Sequence, residues 1–72
     1  MEKDLKYFNE NFKDKKSRYW AISDYLQEDL DLGLMISEKN KKELFNFMRE
    51  YTIERVGFDP ITGISVTPNS VN

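Results

Sequence analysis

Apolar residues in the first part of the chain recur at helical spacing. Leu5, Phe8 and Phe12 stand three and four apart with charged residues between them, and Tyr7 widens the stripe, so the pattern predicts a helix over about 3–14. The charged run Lys13, Asp14, Lys15, Lys16 closes it. Ser17 is then placed to cap a second helix by accepting a hydrogen bond from an unpaired backbone N–H. That helix, over about 18–32, aligns Tyr19, Ile22, Leu26 and Leu30 on one face with Trp20 and Tyr25 at its margins. Ser23 offers a later start. Gly33 suits a left-handed C-terminal cap, because it has no side chain to clash there. Leu34, Met35 and Ile36 read as buried in or beside a turn.

The third helix has the clearest pattern, over about 38–54. Ser37 or Asn40 can cap it, and Asn40 with Glu43 forms a possible reciprocal capping box. Leu44, Phe47, Met48 and Tyr51 make its apolar face, with Phe45 at the edge, and Thr52 and Ile53 weaken its end. Gly57 marks a change of character. In Phe58 to Gly63, Pro60 fixes one turn dihedral and Gly63 supplies a positive one. Ile64 and Val66 alternate with Ser65 and Thr67 until Pro68 interrupts, which is a weak extended signal followed by a short tail.

These elements imply a mainly α fold: a small three-helix domain with a C-terminal turn and extended arm. Residues 1–57 form the expected compact helical domain, and 58–72 an arm packed in part against it through Phe58 and Ile61. Internal repeats are absent, and the third stripe is too short for a coiled-coil heptad.

Length limits what such a fold can do. Seventy-two residues lie near the lower limit for a self-sufficient hydrophobic core, so one domain is expected. The chain has neither cysteine nor histidine. Disulfides, zinc knuckles, thiol nucleophiles and histidine bases are therefore excluded, a structural metal would need an all-oxygen site, and no cofactor is expected. No glycine-rich phosphate loop or dinucleotide fingerprint occurs. The first residues alternate in charge instead of leading into a signal-peptide core, and no apolar run approaches the roughly 20 residues of a membrane span. A cytoplasmic protein that is not an enzyme is the expectation.

Charge is segregated along the chain although the net value is only −2. Residues 1–20 carry six basic and four acidic groups, 21–38 carry five acidic and no basic groups, and 39–55 carry five basic and three acidic groups. The middle block can pair internally, with a second copy, or with a basic partner. Its members Asp24, Glu28, Asp29 and Asp31 are candidates for a protein interface, and a solvated helix face is the plainer reading of the same residues. A calcium loop fits poorly, since Leu34, Met35 and Ile36 fall where oxygen ligands would have to continue. Paired carboxylates also lack a cleft in so small a domain.

Two basic junctions offer an alternative. Lys13, Lys15, Lys16 and Arg18 precede Tyr19 and Trp20, and Lys39, Lys41 and Lys42 open the third helix; lysines can hold phosphates while an aromatic stacks on a base. The intervening acids would repel the same backbone. Aromatic side chains make up 14% of the chain, more than a minimal core requires. Trp20, Tyr25, Phe45 and Tyr51 lie at stripe margins and are the candidate anchors of an interface, the competing role being core packing. The reading that unites these features is a small interaction protein, an adaptor, inhibitor or regulatory subunit that binds a protein partner and is open to self-association. A mixed-charge helical protein of a phage or mobile element fits the description. Helical nucleic-acid binding is the alternative.

Overall fold

A computed structural model of the chain describes residues 2–65. Three helices run in order, α1 (Leu5–Asn11), α2 (Lys15–Leu32) and α3 (Glu38–Val56), and form a small mainly α domain. α3 packs chiefly on α2, and the short α1 lies across both.

Each start is fixed by a side chain that accepts a hydrogen bond three residues ahead, which satisfies a backbone donor the helix leaves unpaired. Asp4 accepts from the Tyr7 N–H, Asp14 from Ser17 and Ser37 from Asn40. Asp14 thus displaces both Ser17 and Ser23 as the cap of α2, and that helix begins three residues earlier than its pattern implied. The hydrogen bonds from Ser17 hold the Asp14 carboxyl below its ordinary value. Ser37 caps α3, so the capping box from Asn40 to Glu43 does not form. Asn40 instead lies within the helix, buried, and its Nδ2 donates to the Lys3 carbonyl at 2.7 Å. Gly33 and Gly57 end α2 and α3 in the left-handed region, at φ of 66° and 69°.

α1 stops at Phe12, earlier than expected, because Arg18 reaches back to the chain reversal. Its Nε donates to the Phe12 carbonyl and its Nη2 to that of Lys13, while the guanidinium lies over the Phe47 ring. The N-terminal residues form a strap. The Lys3 N–H donates to the Tyr25 hydroxyl at 2.9 Å, and Glu2 accepts from both the N–H and the hydroxyl of Ser37.

Phe8, Ile22, Tyr25, Leu26, Ile36 and Leu44 make the core, with Leu5, Phe12, Phe47 and Met48 packed around it. Leu30 departs from the expected buried face of α2 and is 79% exposed. It stands eight residues beyond Ile22 and about 80° around the helix from it, so it turns out past the edge of α3. Of the run after Gly33, only Ile36 is buried. Met35 is 87% exposed and holds a φ of 61°, a left-handed conformation that its Cβ disfavours.

The C-terminal turn is held by charge. Phe58 and Ile61, expected to pin the arm, are both exposed. Asp59, 3% exposed, accepts from Nε and Nη2 of Arg49 at distances from 2.6 to 3.1 Å, and from the Ile61 N–H. Hydrogen bonding to Arg49 lowers its carboxyl to about 2. Gly63 takes the positive φ expected of it, and Phe58 and Ser65 form an isolated antiparallel bridge. The rest of the extended signal, Val66 and Thr67, and the tail from Pro68 lie outside the described residues.

Candidate protein-binding face

α2 and α3 run antiparallel, and three contacts mark their register. Lys15 Nζ lies 3.3 Å from Glu54, the Tyr19 and Tyr51 rings are 5.1 Å apart, and Lys41 Nζ lies 3.8 Å from Asp29. Between the first two of these levels the helices leave a groove of about 290 Å³, lined by Lys16, Tyr19, Trp20, Tyr51, Thr52, Arg55 and Val56. Trp20 forms one wall. It meets Tyr19 edge-on at 5.2 Å and remains 57% exposed. The Arg55 guanidinium lies 5.9 Å from the Tyr51 ring, so the groove has an aromatic floor and cationic edges.

The arrangement follows from local sequence. Tyr19 turns toward α3 and is half-buried, whereas Trp20, one residue and about 100° further round, projects past it into solvent. Thr52 donates to the Met48 carbonyl, which satisfies its hydroxyl within the groove wall. Val56 and Arg55 were missed as site residues. Their only sequence signal is the i, i+4 relation to Tyr51 and Thr52.

The other expected anchors separate. Tyr25 is 7% exposed and packs against Phe8, with its hydroxyl engaged by the strap. It is a core residue and not part of an exposed face, because α1 crosses the margin of α2 on which it stands. Tyr51 is half-buried beneath the groove, and its ring also stacks on Phe47. Phe45 is exposed at a separate concavity of about 680 Å³, shared with Glu38, Lys39, Lys41 and Lys42.

The acidic block also divides. Asp24, Glu28 and Asp31 are exposed, and Gln27 donates to Asp31 at 3.1 Å. Asp29 is half-buried; it accepts from the Ile36 N–H and pairs with Lys41, which also pairs with Glu38. Asp29 therefore shapes the connection to α3. Among the described residues no cluster of three acidic groups is placed to hold a metal ion.

Of the basic residues, Lys13, Lys16, Lys39 and Lys42 are exposed. Lys15 faces Glu54, an exposed pair of small energetic weight. Arg18 is committed to two backbone carbonyls and a ring, so its guanidinium is not free for phosphate. Among the described residues no helix is long and apolar enough to cross a membrane.

Comparison of the chain with protein-family models, with curated proteins and with solved structures finds no match.

Proposed function

We propose that this chain is a small non-enzymatic interaction protein of the cytoplasm, which binds a protein partner and modulates it as an adaptor, inhibitor or regulatory subunit. The observation that carries the reading is Trp20, a large rigid side chain left in water beside an aromatic groove that already has half of its walls. Indole and phenol rings desolvate much surface for little conformational entropy, which is why such residues dominate binding energy at interfaces. The partner segment that fits has an apolar side chain to enter between Trp20 and Val56 and carboxylates to meet Lys16 and Arg55. Modulation then consists of covering that segment.

Trp20 is the sole tryptophan, so its emission reports the groove directly. Titration with the partner isolated from the source cell is expected to shift that emission to the blue. Trp20→Ala should abolish capture of the same partner while the helical circular dichroism is retained. Capture that is indifferent to Trp20→Ala overturns the reading.

One feature favours the nucleic-acid alternative: Lys39 and Lys42 flank the exposed Phe45 ring. Salt-dependent binding of single strands, lost on neutralising Lys39 and Lys42, would establish it in place of protein docking.

A further inference from the structure

The outward face of α2 has a symmetry of its own. Lys16, Trp20, Ser23, Gln27 and Asp31 fall within about 80° of one another around the helix. All are exposed except the half-buried Ser23. The stripe begins with a cation and ends with an anion. Its members pair about a centre midway between Ser23 and Asp24, with Lys16 opposite Asp31 and Trp20 opposite Gln27.

We propose that the occupant of this face is a second copy of the chain, docked α2 against α2 in antiparallel orientation about a two-fold axis through that centre. The proposal rests on the reading of the Trp20 face as a docking surface and names what docks. Charge decides the orientation. A parallel pairing sets Lys16 on Lys16 and Asp31 on Asp31, whereas the antiparallel one sets each cation on an anion, as a self-complementary contact requires.

Shape agrees with charge. Leu30 is exposed on the edge of α2 that borders α3, the same edge on which the aromatic groove opens. A two-fold of this kind brings like edges together, so Leu30 of one copy reaches the groove of the other while Asp31 reaches Lys16. Asp24, next to the axis, meets its own counterpart and weakens the pair. The 18 residues of α2 span about 27 Å. Two such helices bury less than the roughly 800 Å² per partner of a standard interface. The dimer is accordingly weak and reversible, with dissociation at or above the micromolar range.

Sedimentation of the full chain over a micromolar to millimolar series tests this, with circular dichroism checking the fold of each variant. The wild type is expected to self-associate, less so in high salt. Lys16→Glu and Asp31→Lys should each raise the dissociation constant about tenfold or more. Combining the two should restore it, and Asp24→Asn should lower it. Because the chain has no cysteine, Ser23→Cys adds a single thiol beside the axis. Mild oxidation should link two copies through it, but not through Glu10→Cys on the exposed side of α1.

A wild type that is monomeric throughout the series, single reversals without effect, or a double reversal that restores nothing would each overturn the proposal. A monomer that still captures a partner through Trp20 removes the second copy and leaves the docking function intact. A dimer that obeys the charge swap, with capture indifferent to Trp20, does the opposite.

Discussion

Tyr25 and Trp20 sit five residues apart on one helix and meet opposite fates. Tyr25 lies under α1, against Phe8, with its hydroxyl bonded to the Lys3 N–H. Trp20 has Tyr19 on one edge and solvent on the other. Their residue types do not account for the difference. α1 and α3 close one side of α2 and leave the other open, and the side on which an aromatic falls decides whether it packs the fold or stays in solvent.

That contrast can be broken hardest at the closed side. Leu44→Ala removes a fully buried side chain from the centre of the core and should cost about 2–5 kcal/mol in chemical denaturation, a large part of the stability of so small a domain. The Arg49–Asp59 clamp should be visible through pH. The carboxyl of Asp59 is lowered to about 2 from an ordinary value of 3.8, so its stabilisation is complete above pH 4 and is lost as pH falls through 2. Denaturation of the wild type and Asp59→Asn should differ at neutral pH and converge in acid.

Tyr25→Phe sharpens the comparison by keeping the ring and removing only the acceptor for the strap. A loss of about 0.5–1.5 kcal/mol is expected in thermal or urea unfolding. In the connection between α2 and α3, Met35→Gly should stabilise by less than about 1 kcal/mol, since relief of a left-handed φ at an exposed position is partly offset by the freedom glycine adds to the unfolded chain. Trp20→Ala should change stability least, by less than about 1 kcal/mol, while removing partner capture. If it unfolds the protein, the two aromatics do the same job and the comparison fails.

Helix periodicity made α2 and α3 legible, because Ile22 and Leu26 in the one, and Leu44, Phe47, Met48 and Tyr51 in the other, recur at spacings that only a helix brings to one face. Gly33 was legible as a cap for the steric reason that operates there. The stripes alone left open how far each face would be covered. Leu30 fits the apolar pattern of α2 and still emerges into water, because coverage is set by where α1 and α3 lie and not by the period of α2 itself. Asp14, the cap of α2, stands three residues before Ser17, where a charged run offers several residues able to serve. The Arg49–Asp59 pair joins residues ten apart across a turn, and no local pattern announces it. The site showed the same limit. Trp20 and Tyr51 were identifiable as marginal aromatics, whereas Arg55 and Val56 join them only because α3 runs antiparallel at that particular register.

The strap at residues 2 and 3 has a kinetic consequence. Its bonds to Tyr25, Ser37 and Asn40 join positions from 22 to 37 apart in the chain. Such closures form after the contacts between consecutive helices and are the first to be given up, so α1 should detach from the α2–α3 hairpin before the hairpin itself opens. Amide hydrogen exchange should accordingly be faster in α1 than in the middle of α3, and Phe8 should spend brief intervals away from Ile22 while most of the molecule stays folded.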